Sequence, residues 1–421
     1  MLQAPRSSTG AGGGGERRAG SSSCAHGRSQ GAGPKLCSSV RLLEITNDFP
    51  PTLGGIENYI YSIVVRWDPA DVVVVTRGTS GCEGVDRTLD AEVRRERVAT
   101  LLPTPGFQSR VVGLLADMPF DMVHFASATL PLSLLGPRIR RATGIPYAVS
   151  VHGGEFMVGA RLFRPLMQRA LGEAAVALPV STFTQEAVLR YLRDPPPTEV
   201  VSPGVDPARF APPQLVGQDS PPARSARGRN EPGPGPVILC VCRLVARKGP
   251  STLIAALPRI LARHPGTILQ IVGDGSDRRR LQHAARRAGV SSSVHFVGPV
   301  PWGSLPGYYA AADVFALPTR ERFRGLETEG FPLVYLEAAS AGLPVIAGAA
   351  GGVGEAVADG ETGIIVDGRS PEETAAAVIR LLDDPVLARS MGALGRDRVL
   401  GGFTWDDTVD QFRTALAKHA G

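Results

Sequence analysis

Two cationic side chains follow an apolar run in the second half of the chain. Arg243 and Lys248 come after the run at residues 237–244, and a helical pattern begins at residue 250. Cations at the end of a strand can neutralise a diphosphate, because guanidinium and ammonium groups donate charge-assisted hydrogen bonds to phosphate oxygens. The alternative is ordinary surface charge, but the position at a strand end favours phosphate binding. Arg247 is interpreted as a bystander.

Two carboxylates flank the start of a predicted helix further along the chain. Glu329 precedes Pro332, a residue suited to the first position of a helix, and Glu337 lies inside that helix. The backbone N–H groups of residues 331–333 are then expected to face a cleft. Carboxylates accept hydrogen bonds from vicinal hydroxyls. Glu337 has apolar neighbours, which argues against a solvated carboxylate, since an acid on a buried helix needs a partner.

Short glycine-containing turns follow several other apolar runs. Residues 47–55, which include Asp48 and end in Gly54-Gly55, lead from the first run into a helical pattern, and Gly residues let the backbone approach a ligand there. The alternative is a tight turn without a ligand. His152 precedes two Gly at another run's end, which favours a position in a cleft over a histidine in the core. Gly273 marks a further turn of this kind.

Three absent motifs limit the possible functions. The first turn has no Gly-x-Gly-x-x-Gly followed by an acidic strand end, so nicotinamide dinucleotide binding is unsupported. There is no Gly-x-x-x-x-Gly-Lys-[Ser/Thr], which excludes a P-loop NTPase. No Asp-x-Asp lies near a strand end, so a metal-bound diphosphate has no obvious ligands. Side-chain cations and helix N-termini are left to hold phosphates, and we expect no metal or cofactor.

Composition indicates a soluble globular protein of two or three domains. The chain has 421 residues, of which 43% are apolar and 20% charged. The net charge of +5 comes mostly from residues 1–36 and 207–235, so nucleic-acid binding is not predicted. No apolar run reaches the length of a membrane-spanning helix. The five Cys do not make a disulfide framework, which favours a reducing cytoplasm, and Cys240 and Cys242 are expected to be buried thiols.

Apolar runs alternate with helical patterns in two blocks. The runs are residues 40–46, 71–76, 121–127, 146–153, 175–181 and 198–204 in the first block, and 237–244, 267–273, 293–300, 313–319, 344–348 and 363–367 in the second. The helical patterns include 55–66, 129–142, 160–173 and 182–193, then 250–263, 276–288, 304–312, 333–341, 370–383 and 405–418. This alternation predicts an α/β fold with two Rossmann-like, doubly wound parallel sheets and a cleft between them.

The composition also predicts where the domains end. Residues 1–36 are rich in Gly, Ser and Arg and are predicted to be a disordered tail, and residues 207–235 are predicted to be a linker. The first Rossmann-like domain is then expected at residues 37–206 and the second at residues 236–402.

These motifs, in this order, resemble the retaining glycosyltransferases of family 4, which have the GT-B fold. The resemblance covers residues 40–418 and rests on the Arg-x4-Lys and Glu-x7-Glu combination. The segments 45–59, 149–155, 200–206 and 318–338 resemble, more narrowly, the actinobacterial mannosyltransferases that build phosphatidylinositol mannosides from GDP-mannose. One departure is Gly354, where the family usually has Pro, so the donor contact of that loop is open.

The resemblance implies a role for each motif. Arg243 and Lys248 would bind the donor diphosphate beside Gly54 and Gly55, and Glu337 would bind the ribose. Glu329 would contact the transferred sugar, with Gly330, Phe331, Pro332 and Leu333 completing its pocket and His152 beside it. The base would lie near Gly273 and Val297, and Asp48 would face the acceptor hydroxyl. The last helix, in residues 403–421, would return to the first domain.

The resemblance also implies partners and a location. A nucleotide-sugar donor and a glycolipid acceptor are expected, at the inner face of the cell membrane and without a spanning segment. The segment 159–172 has an apolar face beside Arg161, Arg164 and Arg169 that could dock on anionic lipid, with a core-packing helix as the alternative. Another nucleotide sugar with a polysaccharide or small acceptor remains the rival within the class. A nucleotide-sugar epimerase or a binding module is the rival from a different class.

Overall fold

The computed structural model of the protein describes residues 40–52, 54–212 and 235–420. The predicted tail at residues 1–36 and most of the predicted linker lie outside the described residues. Two six-stranded parallel sheets form the framework, and across each sheet the strands of that half lie in the order third, second, first, fourth, fifth, sixth. The predicted two-domain, Rossmann-like α/β fold is confirmed by this arrangement.

The first sheet is built around two short, fully buried central strands. Its strands are β1 (Leu42–Thr46), β2 (Val72–Arg77), β3 (Glu92–Glu96), β4 (Met122–Phe125), β5 (Tyr147–Val151) and β6 (Val176–Pro179). Its helices are α1 (Gly55–Val64), α2 (Cys82–Asp86), α3 (Pro105–Asp117), α4 (Leu135–Thr143), α5 (Gly154–Leu162), α6 (Arg164–Leu171) and α7 (Thr182–Tyr191). Strands β1 and β4 lie at the centre, and apolar side chains pack on both faces of the sheet.

The second sheet repeats the same strand order. Its strands are β7 (Val237–Val241), β8 (Ile268–Val272), β9 (Val294–Gly298), β10 (Val314–Leu317), β11 (Val345–Gly348) and β12 (Gly363–Val366). Its helices are α8 (Pro250–Arg263), α9 (Arg278–Arg287), α10 (Leu305–Ala310), α11 (Leu333–Ser340), α12 (Val353–Ala356), α13 (Pro371–Asp383) and α14 (Pro385–Leu400). The last helix, α15 (Trp405–His419), follows them in the chain. The core of this half is one continuous apolar cluster.

The structure differs from the sequence predictions at several elements, and helix α14 is one that was not predicted. Strand β3 was not predicted, because its residues are mostly charged and it lies at the sheet edge, where Arg95 pairs with Asp86 at 2.7 Å. Residues 198–204 were predicted as a strand, but they form an extended segment with only an isolated bridge to β6. The predicted helix 160–173 is two helices, because the backbone breaks at Phe163.

The end of the chain packs against the first sheet. Helix α15 contacts α1 and β6, and its Phe412 meets the ring of Trp67 edge-on, with centroids 5.8 Å apart. Just before the helix, Phe403 and Trp405 exchange backbone hydrogen bonds with Val205, where the chain leaves the first half. Among the described residues, no helix is long and apolar enough to span a membrane.

Candidate active site

A turn rich in cations leads from strand β7 into helix α8. It carries Arg243, Arg247 and Lys248, the last two in a 3-10 turn over Ala246–Lys248. Gly249 ends this turn with φ +75°, and a Cβ there would lie 1.9 Å from the carbonyl oxygen of Pro318. A side chain is therefore excluded at Gly249, and the cationic turn packs directly on the loop that follows β10.

The carboxylate of Glu329 lies between two of these cations. Lys248 Nζ donates to Glu329 Oε2 at 2.8 Å, and Arg247 donates to Glu329 Oε1. Burial raises the pKa of Glu329, but Lys248 and Arg247 more than offset that effect and hold the pKa below its usual range. Glu329 is thus an ionised, nearly buried acceptor. Arg247, interpreted from the sequence as a bystander, is paired by the fold with a carboxylate 82 positions away.

Arg243 is exposed and does not bond to Glu329. It makes no hydrogen bond or ion pair within the described parts of the chain, but it lowers the pKa of Glu57 through space. Glu57 belongs to α1 in the first half, and its carboxylate lies over Gly54 at the start of that helix. Desolvation by burial is the largest effect on Glu57 and raises its pKa. Arg243 therefore lies near enough to Glu57, beside Gly54, for the charges of the two side chains to interact.

Asp48 and His152 lie together at the carboxyl ends of β1 and β5. The pKa of Asp48 is raised by burial, against the opposing effects of His152 and Arg77. The pKa of His152 is lowered, mainly by burial. His152 Nε2 lies 2.8 Å from the carbonyl oxygen of Ala126, so this nitrogen must carry the proton. A neutral imidazole and a half-buried carboxyl group thus share this side of the cleft.

The two halves touch at Gly330. A Cβ on Gly330 would lie 1.7 Å from the carbonyl oxygen of His152, so only glycine allows this approach. Ser181 Oγ also donates to the carbonyl oxygen of Gly330 at 2.9 Å. The segment Gly330–Leu333, with Pro332 as the N-cap of α11 rather than its first residue, is therefore held against the His152 turn.

Glu337 is buried on α11, where it is the fifth residue of the helix. Its Oε2 accepts a hydrogen bond of 2.6 Å from the hydroxyl of Tyr309, and burial raises its pKa. The residue lines a pocket together with Arg209 and Trp302, whose guanidinium and ring lie 3.8 Å apart. The sequence predicted that Glu337, with its apolar neighbours, needs a hydrogen-bond partner, and this partner is Tyr309.

Gly273 and Val297 lie apart from the charged centre, at the ends of β8 and β9. The N–H of Gly273 donates to the carbonyl oxygen of Gly298 at 2.8 Å, and Val297 is partly buried beside it. Gly54 and Gly55 begin α1, while the preceding Leu53 lies outside the described residues. The predicted site residues thus fall into two groups, one in each half. The groups are in contact at Gly330, and the charge of Arg243 acts on Glu57 of the other half.

Four side chains of this site were not predicted from the sequence as functional residues. One of them is Arg77, which donates to the carbonyl oxygen of Asn47 at 2.9 Å and whose charge lowers the pKa of Asp48. The other three are Glu57, Arg247 and Tyr309, whose contacts are described above. Glu57 carried a usable signal, since it lies two residues after Gly55 in the first turn of α1. The others had none, because their partners are distant in the chain. In the described ranges, no group of three or more His, Cys, Asp or Glu could hold a metal.

Two facing Rossmann-like sheets, with cations and carboxylates at the strand ends of one and a histidine and an aspartate at those of the other, define a GT-B glycosyltransferase. Family models agree: "Glycosyltransferase Family 4" matches residues 53–209 and "Glycosyl transferases group 1" matches residues 224–398. The chain belongs to the family 4 glycosyltransferases. The predicted family and enzyme class are thereby confirmed.

Similar proteins of known name extend over nearly the whole chain. A GDP-mannose-dependent alpha-(1-6)-phosphatidylinositol monomannoside mannosyltransferase of Mycobacterium tuberculosis is 38% identical over 87% of this chain and 95% of its own. The corresponding enzyme for the monoacylated lipid in Corynebacterium glutamicum is 35% identical over 88% and 96%. The sucrose-phosphate synthase of Thermosynechococcus elongatus superposes with a TM-score of 0.74, at 23% identity over 90% and 98%, and supports the fold.

Proposed function

We propose that this enzyme transfers a mannosyl group from GDP-mannose to a phosphatidylinositol mannoside with retention of configuration. The observation that carries the proposal is the pairing of Glu329 with the cationic turn, opposite His152 and Asp48. The names of the M. tuberculosis and C. glutamicum relatives support the choice of donor and acceptor. In this proposal residues 37–206 are the acceptor-side domain, residues 236–402 the donor-side domain, and residues 207–235 their linker.

The cationic turn and α11 hold the donor in this proposal. Arg243 and Lys248 bind the diphosphate and stabilise the charge that grows as the glycosidic bond breaks. The N-terminal turn of α1, at Gly54 and Gly55, adds backbone N–H groups on the same diphosphate. Glu337 accepts the ribose hydroxyls, and the base lies between the strand ends at Gly273 and Val297.

The sugar and acceptor meet at the contact between the halves. Glu329 and the backbone of Gly330–Leu333 bind hydroxyls of the mannosyl group, and His152 lies beside its reacting carbon. Asp48 orients the acceptor hydroxyl. The leaving diphosphate oxygen takes the acceptor proton on the same face of the sugar, so the protein contributes position and charge stabilisation rather than a covalent intermediate.

A glycolipid acceptor requires the enzyme to reach a membrane surface. Leu162, Phe163 and Leu166 are exposed by 62%, 52% and 43%, whereas the other half of the predicted apolar face, Met167, Ala170 and Leu171, is buried in the core. Arg164 and Arg169 are exposed beside the apolar side chains. We propose that this α5–α6 corner docks on anionic lipid at the inner face of the membrane.

The test is release of GDP from GDP-mannose, with UDP-glucose in parallel, with and without a phosphatidylinositol mannoside, in EDTA. GDP release that the acceptor stimulates and that collapses in Lys248→Ala supports the proposal. Turnover with UDP-glucose alone would mean that UDP-glucose, and not GDP-mannose, is the donor. No turnover with either donor would refute the proposed reaction.

The membrane proposal has its own test. We expect Leu162→Ser/Phe163→Ser to lose sedimentation with vesicles containing anionic lipid while keeping turnover of detergent-dispersed acceptor. Leu394→Ser is the control, since it removes an exposed apolar side chain of α14 instead of one at the α5–α6 corner. Equal sedimentation of both variants would remove the α5–α6 corner as the docking surface.

A further inference from the structure

The carboxylate of Glu329 has each of its oxygens on a different cation. Oε1 accepts from Arg247 and Oε2 from Lys248, and the side chain is only 7% exposed. The cations themselves are more accessible, at 21% for Arg247 and 14% for Lys248. A carboxylate this deeply buried depends on its partners, because an uncompensated buried charge is strongly unfavourable.

Donor binding makes a conflicting demand on Lys248. Under the proposed function its ammonium group moves toward a diphosphate, which weakens its attraction to Glu329. Lys has a flexible stem and a point charge, so it can turn from one anion to another. Glu329 then needs a second cation that does not move with Lys248.

Arg247 is held in place to be that cation. Its backbone carbonyl accepts from the N–H of Arg320 at 2.8 Å, and Arg320 Nε donates to the carbonyl oxygen of Ala246 at 3.1 Å. The same guanidinium contacts the hydroxyls of Ser251 and Thr252 at the start of α8. Arg320 thereby clamps the backbone of the turn that carries Arg247, whose Nη1 donates to the carboxylate of Glu329.

We propose that Arg247 is a positioning residue that keeps Glu329 charge-compensated while Lys248 turns to the donor diphosphate. The proposal rests on the proposed function for the identity of the anion that draws Lys248 away. The charged or titratable groups that act on Glu329 in the described structure are Arg247, Lys248 and, from α11, Tyr335. The hydroxyl of Tyr335 donates a hydrogen bond to the carbonyl oxygen of Leu317, so Tyr335 does not compensate the charge of Glu329 in place of Arg247 or Lys248.

The first experiment needs no ligand, because Lys248→Gln leaves Glu329 with Arg247 alone. We expect its melting temperature to stay constant between about pH 6 and 8. A carboxyl group whose pKa is depressed in the folded protein stabilises the fold fully at any pH above its pKa in the unfolded chain. Arg247→Gln/Lys248→Gln leaves a buried carboxylate with no cation, so its melting temperature falls as pH rises, and adding Glu329→Gln abolishes that fall. A melting temperature of Lys248→Gln that falls with pH overturns the proposal, even when the double variant does not fold.

The second experiment measures GDP binding by calorimetry in buffers of different ionisation enthalpy. We expect Arg247→Gln to bind GDP roughly 30-fold more weakly at pH 8 and to take up close to one proton on binding, because Glu329 protonates as Lys248 leaves it. Arg247→Lys restores binding without proton uptake, and Arg247→Gln/Glu329→Gln takes up none. Arg322→Gln is the control, since Arg322 pairs at 3.0 Å with Glu327, a partly exposed carboxylate of the neighbouring loop.

The two experiments separate two failures. Weak binding of Arg247→Gln without proton uptake overturns the compensation role, because a merely structural loss moves affinity and not the proton count. If the unmodified protein binds neither GDP nor UDP, the proposed donor chemistry fails, and the melting curve of Lys248→Gln still decides whether Arg247 alone sustains the charge of Glu329.

Discussion

The hydroxyl of Ser181 donates a hydrogen bond of 2.9 Å to the backbone carbonyl of Gly330, from one Rossmann-like half to the other. Beside it, the carboxylate of Glu355 accepts from the N–H groups of Thr182 and Phe183 at 2.8 and 3.0 Å. Glu355 therefore caps α7 from the opposite half, with its charge at the positive end of the helix. The two contacts hold the halves together where the mannosyl group is proposed to bind.

We expect Glu355→Gln to weaken this contact and lower the free energy of unfolding by about 1 kcal/mol, since a charged cap is replaced by a neutral one. Donor KM is expected to rise more than kcat falls, because the donor must then hold the halves closed. Glu373→Gln is the control, since Glu373 accepts the N–H of Asp367 within one half. Equal donor KM in both variants would count against the role of Glu355.

Tyr309 is expected to tune Glu337 as an acceptor for ribose. Its hydrogen bond opposes the effect of burial on the pKa of Glu337, so Tyr309→Phe raises that pKa further. A protonated Glu337 loses an acceptor, and GDP binding is expected to weaken several-fold, increasingly as pH falls. Calorimetry between pH 5.5 and 8 tests this. Tyr147→Phe, which removes a buried hydroxyl bonded to Ala170, should leave GDP affinity unchanged, and a pH-independent loss in Tyr309→Phe contradicts the prediction.

His152 is expected to be neutral at pH 7 with its proton on Nε2. Burial lowers its pKa, so its charge change should lie below the ordinary value of about 6.5. Long-range nitrogen–proton NMR spectra, assigned with His152→Gln, report both the tautomer and the titration. A charged His152 at neutral pH, or a proton on Nδ1 alone, would contradict this prediction.

Asp48 should make turnover sensitive to acid at a higher pH than an ordinary aspartate would. Burial raises its pKa, and an acceptor-orienting carboxylate works only while ionised, so the rate declines as pH falls through that raised value. Asp48→Asn is expected to lower kcat by about 100-fold and to remove that acid limb. The exposed Asp121 supplies a control through Asp121→Asn, and an acid limb that persists in Asp48→Asn assigns it to another group.

The last helix should contribute strongly to stability through Phe412. Its buried ring lies edge-on to the imidazole of His124 in the core of the first half. His124 Nδ1 lies 2.6 Å from Glu44 Oε2, and His124 Nε2 lies 2.9 Å from Ser150 Oγ. Phe412→Ala is expected to lower the free energy of unfolding by about 3–5 kcal/mol, from lost burial and a cavity. Urea unfolding measures this, with the exposed Leu400→Ala as a control near zero. A loss below about 1 kcal/mol would mean that α15 is not integral to the first half.

Local sequence determined the elements and the chemical groups. Apolar runs such as residues 237–244, each followed by a glycine turn and a helix, sufficed to predict parallel sheets, because buried parallel strands need apolar side chains on both faces. Strand-end position then selected Arg243, Lys248 and His152 as candidates. The charged edge strand β3 escaped, since an edge strand can be stable without an apolar pattern when ion pairs such as Arg95 with Asp86 support it.

Only the tertiary structure decided which of these groups meet. Arg247 looked like surface charge because its partner Glu329 lies on another loop, and Tyr309 gave no sign of its bond to Glu337. The pairing of Arg247 with Glu329 depends on the order of strands in the second sheet, which places β7 beside β10 and so brings their following loops together. A local pattern carries no information about that order. The chemistry of the site was therefore readable in the chain, while its partners were set by packing.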